Sequence, residues 1–329
     1  MFLVTGAAGF LGRQVVSSLL AKGEKVRALV LPGDPLASGL PEDVEIVYGD
    51  LLDDADLTRF FESGPEPHIL IHCASIITMS MTPVDLVYQV NVAGTEKLID
   101  FCLKTGVKAM LHVASVHAIT EKPGKALMAE PEAVDPDAVV GYYAKTKAMA
   151  VSKVMKAREE QGLNASIVYP AGLCGPGDHG RGNLSQMFLD YMDGKIPMGV
   201  AGGYNFADVR DVAKAIATLA TGNLWGEDFL LSGSYITIMD ILDNFHRITG
   251  AKKVRFQAPL WLARLFLPVM TLTYKIRKIK PIFSEYSLYT INANSNFDAE
   301  KARTMLGFES RPIEETLEDT ARFWMEQNK

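Results

Sequence analysis

The stretch Val4-Thr5-Gly6-Ala7-Ala8-Gly9-Phe10-Leu11-Gly12 decides the fold. The short apolar run Phe2–Thr5 leads into it. Residues 12–22, with apolar positions spaced by three and four, lead out of it. Strand, glycine turn and helix in that order form a dinucleotide cradle. Gly6 permits the tight turn, Gly9 lets the backbone approach a pyrophosphate with no Cβ in the way, and Gly12 lets the helix pack closely on the strand. The helix start then offers free N–H groups and the positive end of its dipole to phosphates. Thr5, Gly6, Ala8, Gly9, Phe10, Leu11 and Gly12 are therefore the expected coenzyme contacts of this turn.

Outward from the turn, strand and helix signals alternate. Strand-like runs occupy residues 25–31, 44–48, 69–73, 109–114 and 166–169, with helical periodicity over 92–105 and 143–161. Continuous apolar strands alternating with helices predict an α/β fold, a doubly wound parallel sheet covered on both faces. The texture changes after Pro170. Residues 172–182 hold five glycines and a proline and read as a loop. A further helix over 210–220 and the strand Phe229–Leu231 follow. The rest is irregular and ends in an amphipathic helix, Ile313–Gln327. The expected division is a dinucleotide-binding domain of residues 1–170 plus 205–232, and a smaller substrate-binding cap of 171–204 plus 233–329.

Composition narrows the partners. The 329 residues are 48% hydrophobic and 22% charged, ordinary for a soluble globular protein. A net charge of -6 argues against nucleic acid, whose binders are basic. Cys73, Cys102 and Cys174 are too scattered for a disulfide framework or a zinc site, and the six histidines lack metal-ligand spacing, so no metal is expected. The first apolar run has no basic segment before it and reads as a β-strand, not a signal peptide, which points to a cytoplasmic protein.

The chemistry is carried by Tyr143-Ala144-Lys145-Thr146-Lys147, which puts a phenol and an ammonium at i and i+4 on one helix face. A free tyrosine titrates near 10 and is a poor acid or base at neutral pH. A nearby ammonium favours the phenolate, so Lys147 is expected to lower the Tyr143 pKa and to hold ribose hydroxyls. Ser115 ends a strand at the carboxyl edge, where ligands of such sheets bind, and can hold the substrate oxygen. Ser115, Tyr143 and Lys147 are the expected catalytic residues. Coenzyme choice is read about 20 residues beyond the turn. There Leu31 stands at the strand end, and no Lys or Arg lies between Arg27 and Arg59. That favours NAD(H) over NADP(H), whose 2′-phosphate would need Arg13 or Arg27. Asp50 and Leu51 follow the third strand and are candidates for the adenine edge, with a solvated turn as the plain alternative for Asp50.

These motifs, in this order, resemble an extended short-chain dehydrogenase/reductase of the NAD-dependent epimerase/dehydratase family. Ile71-His72-Cys73-Ala74, Asn91-Val92-Ala93-Gly94-Thr95 and Val113-Ala114-Ser115-Val116 resemble its later coenzyme and serine segments. The run from Tyr169-Pro170-Ala171-Gly172-Leu173-Cys174 to Asp178 resembles the loop over the nicotinamide. Phe206-Ala207-Asp208-Val209-Arg210-Asp211 resembles the stretch near the adenosine side. Val26-Arg27-Ala28-Leu29-Val30 and the ending Lys301-Ala302 to Leu306-Gly307-Phe308 and Arg311-Pro312 are similar to the dihydroflavonol reductase-like and 3β-hydroxysteroid dehydrogenase-like branch. The resemblance implies further coenzyme contacts at Cys73, Ala74, Ser75, Asn91, Val113, Pro170, Ala171, Gly172 and Leu173. It implies substrate contacts at Ile76, His117, Cys174 and His179, and a homodimer through the Tyr143 helix and its neighbour. The implied reaction interconverts a secondary alcohol and a ketone on an apolar small molecule, steroid- or flavonoid-like. A sugar-nucleotide epimerase or dehydratase and a non-catalytic NAD(P)-binding regulator are the alternatives.

Several residues keep two readings. His117 either faces the substrate or packs as a wall. His179 and Arg181 either meet a substrate anion or sit in a solvated loop. The apolar run from Leu260 to Tyr274, followed by Lys275-Ile276-Arg277-Lys278-Ile279-Lys280, is a packed cap helix, a wall for a greasy substrate or a basic interfacial contact with a membrane. Arg264 and Pro268 interrupt it too soon for a membrane span.

Overall fold

A computed structural model of the chain describes residues 1–62, 68–277 and 284–327. Twelve strands are described: β1 Phe2–Thr5, β2 Val26–Val30, β3 Glu45–Tyr48, β4 Ile69–His72, β5 Ala109–Val113, β6 Ala165–Pro170, β7 Gly172–Cys174, β8 Gly199–Val200, β9 Gly203–Asp208, β10 Phe229–Leu231, β11 Ser234–Thr237 and β12 Gln257–Ala258. The α-helices are α1 Phe10–Leu20, α2 Asp54–Phe60, α3 Asp85–Tyr88, α4 Gly94–Thr105, α5 Tyr142–Gln161, α6 Asn183–Met192, α7 Val209–Thr221, α8 Ile238–Thr249, α9 Leu260–Arg277, α10 Glu285–Thr290, α11 Glu300–Leu306 and α12 Ile313–Gln327.

Seven strands form one sheet in the order β10-β6-β5-β4-β1-β2-β3, and every pairing in it is parallel. The order reverses between β1 and β4, the switch point at which open α/β sheets bind ligands. Helices cover both faces, as the apolar strands require. Val15, Val16 and Leu19 of α1 join Val212 and Ile216 of α7 on one side. Leu98 and Ile99 of α4 join Val151 and Val154 of α5 on the other. The cap has its own core, in which Phe188, Phe245, Leu317 and Trp324 bring α6, α8 and α12 together.

Two sequence expectations need correction. The glycine-rich run over 172–182 is not loop throughout. It opens with β7, which pairs with β9, and β9 pairs with β11 in a second, three-stranded sheet. The chain also crosses back after the cap begins: Ala299, Ala302, Leu306 and Phe308 bury in the core beside α7 and β10, not in the cap. Small and apolar residues there fill the space under the edge strand β10.

An ion-pair clasp holds that returning segment. Arg210 and Arg311 both reach Asp208, at 2.7 and 3.4 Å, and Arg311 also grips Asp211 at 2.7 Å. Helix α9 packs Leu260, Ala263 and Leu267 toward Val200, Leu288 and Ile291. It exposes Trp261, Leu265 and Phe266. The basic residues Lys278 and Lys280 lie outside the described residues.

Candidate active site

The coenzyme turn is held by contacts that admit no side chain. Gly6 has φ +68°, and a Cβ there would lie 2.6 Å from the Ala74 backbone nitrogen. A Cβ on Gly12 would lie 2.1 Å from the Gly6 carbonyl. Gly9 caps α1 with no side-chain hydrogen bond, and the first turn carries no acidic residue, so its N–H groups stay open to an anion. Thr5 anchors the turn to the sheet through a 2.7 Å hydrogen bond with His72 Nδ1, and His72 Nε2 meets Thr95 Oγ1 at 3.0 Å. Burial lowers the His72 pKa to about 3, so the ring is a neutral brace. These residues fit the diphosphate of a dinucleotide.

Ser115, Tyr143 and Lys147 come together at the carboxyl edge of the sheet, all buried. Ser115 follows β5 and caps a 3₁₀ turn, Val116–Ala118, accepting the His117 N–H at 3.2 Å. That bond uses a lone pair and leaves the O–H proton free to donate. Burial pushes the Tyr143 phenol up to about 12, and hydrogen bonds with the Ser115 and Ser75 hydroxyls pull the other way.

Lys147 differs from expectation. Its ammonium donates to the Val113 carbonyl at 2.8 Å, and it is the two serines that draw the phenol down. Spacing on a helix sets a face, and the long lysine chain runs along that face to β5. Burial drops the Lys147 pKa to about 8. The Lys147 charge also pulls at Cys73, whose thiol burial nonetheless raises to about 12.

Asn91 is corrected too. It lies in a π-helical turn, Gln89–Ala93, a distortion that often marks functional sites. Its Nδ2 donates to the Ile76 carbonyl and to Thr146 Oγ1, and its Oδ1 accepts from Ile76 N–H and Ser75 O–H. All four hydrogen-bonding positions of the amide are used. Asn91 therefore fixes the strip after β4 against α5 and has nothing left for a coenzyme. Ser75 is the functional gain: Asn91 holds it, and it reaches Tyr143.

Cys174 and His179 leave the site. Cys174 is buried in the cap core beside Thr320, at 3.7 Å, and exposed His179 sets its ring edge-on to Phe323 of α12. Arg181 lies over the Trp324 ring. His117 stays, half-buried, its ring centroid 6.3 Å from that of Tyr143. Leu31 is exposed at the end of β2, and Leu51 is buried. Asp50 uses one oxygen on the Leu52 N–H, as a turn aspartate does. Pro170 closes β6, and the Ala171 N–H donates to the Leu231 carbonyl. Gly172 gives Phe206 room, since a Cβ there would lie 2.7 Å from its ring, and Leu173 packs on the sheet core. Two groups had no sequence signal: Gly141, the residue before α5, and Tyr286 of α10, whose ring lies against it.

Switch-point cradle, buried tyrosine, serine and lysine define a dinucleotide-dependent oxidoreductase site. Comparison with known proteins agrees. Residues 2–230 match the NAD dependent epimerase/dehydratase family, and the chain belongs to it. It is 29% identical over 330 residues to "Sterol demethylase protein B" of Methylococcus capsulatus, covering 99% of this chain and 98% of that one. It is 28% identical to a "Putative dihydroflavonol 4-reductase" of Synechocystis, covering 98% and 94%. It is 26% identical to "Sterol-4-alpha-carboxylate 3-dehydrogenase, decarboxylating" of Schizosaccharomyces pombe, covering 99% and 98%. The chain is thus an NAD(P)-dependent oxidoreductase acting on a CH–OH group. Among the described residues no helix is long and apolar enough to cross a membrane.

Proposed function

We propose that this protein oxidises, with NAD⁺, a secondary alcohol on a polycyclic, sterol-type skeleton whose neighbouring carbon carries an oxygen-bearing group such as a carboxylate. The observation that carries this reading is the burial of Ser115, Tyr143 and Lys147 together at the carboxyl edge of the sheet, beside the glycine cradle. The relatives' names support the substrate class. One sets a carboxylate at position 4 beside a reacting position 3. Another reduces position 4 of a dihydroflavonol, a molecule with a hydroxyl on the adjacent carbon. The strip after Ser75 supports an apolar ligand, because it leaves Ile77 and Met81 exposed while Ser80 ties it to the Tyr142 N–H at 3.0 Å. A small cleft of about 60 Å³, open to solvent, is lined by Val116, His117, Val139, Tyr204 and Asn294.

When bound, NAD supplies the nicotinamide carbon that exchanges a hydride with the substrate carbon. The protein handles the proton. In oxidation the ionised Tyr143 accepts the proton from the alcohol and becomes the phenol, while Ser115 donates a hydrogen bond to the substrate oxygen. Lys147, close enough to shift its neighbours' pKa values, adds positive charge behind them. Reduction runs the same transfers backwards.

NAD over NADP is supported by the fate of the two arginines a 2′-phosphate would need. Arg27 is spent on Glu45 at 2.9 Å and on the Glu62 carbonyl at 2.7 Å. Arg13 donates to the Leu36 carbonyl at 2.8 Å and lies within the field of Asp34. The free thiols Cys73, Cys102 and Cys174 suit a reducing, cytoplasmic setting. The test is appearance of reduced coenzyme from NAD⁺ or NADP⁺ with 3-hydroxysteroid-4-carboxylates and, in reverse, oxidation of NADH by dihydroflavonols. Turnover with NAD(H) is expected. No turnover on either class refutes the substrate reading.

A further inference from the structure

Between Asp243 and Glu285 the chain carries nine lysines and arginines and no acidic residue, in a protein whose net charge is -6. Helix α9 stands in the middle of that tract. Its inner face is spent, because Leu260, Ala263 and Leu267 pack toward Val200, Leu288 and Ile291. Its outer face is not. Trp261 and Leu265, four residues apart and so on one side of the helix, are 67% and 66% exposed. Arg264 lies between them in the chain and Phe266 follows them, both exposed.

The apolar surface begins before the helix. Strand β12 pairs in parallel with β8, Gln257 opposite Gly199, which sets Phe256 beside Met198, and both are exposed. Single exposed apolar side chains are ordinary, but a run of them marks a surface that meets something. The charged neighbours share one sign. Lys252, Arg255 and Arg264 are exposed and form no ion pair among the described residues, while Asp243, the acid that opens the tract, is held by Lys253 at 3.1 Å.

Indole, leucine and phenylalanine among lysine and arginine fit the boundary of an anionic bilayer. Apolar groups enter below the headgroups, and tryptophan sits at their level. Basic side chains lay their stems along apolar surface and put their charge on the lipid phosphates. We propose that the face of α9 bearing Trp261, Arg264 and Leu265, together with Phe256 and Met198, docks this protein on anionic lipid surfaces. The docking does not depend on the substrate class. It does bear on the site: α9 packs on Leu288 of α10, and Tyr289 and Thr290 of the same helix line the cleft beside His117. The docked surface is thus one helix away from the cleft, and on the substrate reading above an apolar skeleton is met where it dissolves.

The test is flotation of the full chain with phosphatidylcholine vesicles, with and without phosphatidylglycerol. Wild type should float with the anionic vesicles, stay behind with the neutral ones, and come off as salt is raised, because screening weakens its attraction to the headgroups. The double variant Trp261→Ser, Leu265→Ser should lower the partition coefficient by roughly 10-fold or more. Arg264→Glu, which reverses one charge, should lower it by roughly 10- to 30-fold. Tm and NADH affinity should match wild type in both variants, since the altered side chains are exposed. No flotation on either vesicle, equal flotation on both, or flotation unchanged in either variant overturns the proposal. A wild-type dimer that fails to float and that the serine variant makes monomeric in sedimentation also overturns it, because the face then belongs to a second copy. None of these readouts uses turnover, so a failed substrate reading and a failed docking are told apart.

Discussion

The two walls of the crevice are built on opposite rules. On the coenzyme wall the side chains around the turn and the lysine are tied to the protein: Thr5 and Thr95 clamp His72, Asn91 has no free position, and Lys147 is anchored on the Val113 carbonyl. On the cap side Tyr286 is buried with its hydroxyl unmet among the described residues, and in the strip after β4 Ile77 and Met81 stay exposed. The difference separates what is common to the reaction from what is particular to the substrate. Proton transfer needs groups held in place before the ligand arrives. Recognition of an apolar ligand leaves apolar side chains that only the ligand covers.

The comparison can be broken at several points. The largest effect is expected at Tyr143. Tyr143→Phe should slow turnover by roughly 10² to 10⁴ while NADH binding, followed by fluorescence, stays intact. Gly12→Val comes next. Its side chain would press on backbone alone, the Gly6 carbonyl at 2.1 Å and Ala7 Cα at 2.9 Å, so stability should fall by about 3 kcal/mol or more in denaturant unfolding, with coenzyme binding lost.

Lys147→Met should move stability the other way. Burial holds the folded pKa at about 8, below the unfolded 10.5, so the unfolded chain binds the extra proton between those values. The burden of the buried charge is full below pH 8 and is relieved as pH rises to 10.5. Less the lost bond to Val113, removing the ammonium should stabilise the coenzyme-free protein by about 2 kcal/mol at pH 7, and the gain should vanish by pH 10.5, as unfolding midpoints across pH would show. Activity should drop at the same time. The smallest effect belongs to the clasp: Arg311→Ala leaves Asp208 with Arg210 and should cost about 1 to 2 kcal/mol with little change in kcat.

The coenzyme wall was legible in the sequence for the same reason that it is rigid. Buried parallel strands write themselves as unbroken apolar runs, and a backbone turn with no room for Cβ atoms writes itself as glycine at Gly6 and Gly12. Tertiary pairing hid the rest. Gly172–Cys174 becomes a strand only because β9 lies beside it, and residues 299–308 join the first core only because β10 needs cover. The i, i+4 rule put Tyr143 and Lys147 on one face yet said nothing of where a long side chain ends. Asn91 stood in the right motif, but its saturation depends on Ser75, Ile76 and Thr146, far apart in the chain. Tyr286 had no local pattern at all. Its place is set by Gly141 and His117, which the cap meets only after folding.

The central claim is that Tyr143 carries the proton. The most direct measurement is the pH profile of alcohol oxidation at saturating coenzyme for wild type and Tyr143→Phe. With the phenol held up by burial, the wild-type rate should climb as pH rises toward its ionisation, and the variant's residual rate should lack that limb. The same rising limb in both proteins would contradict the assignment.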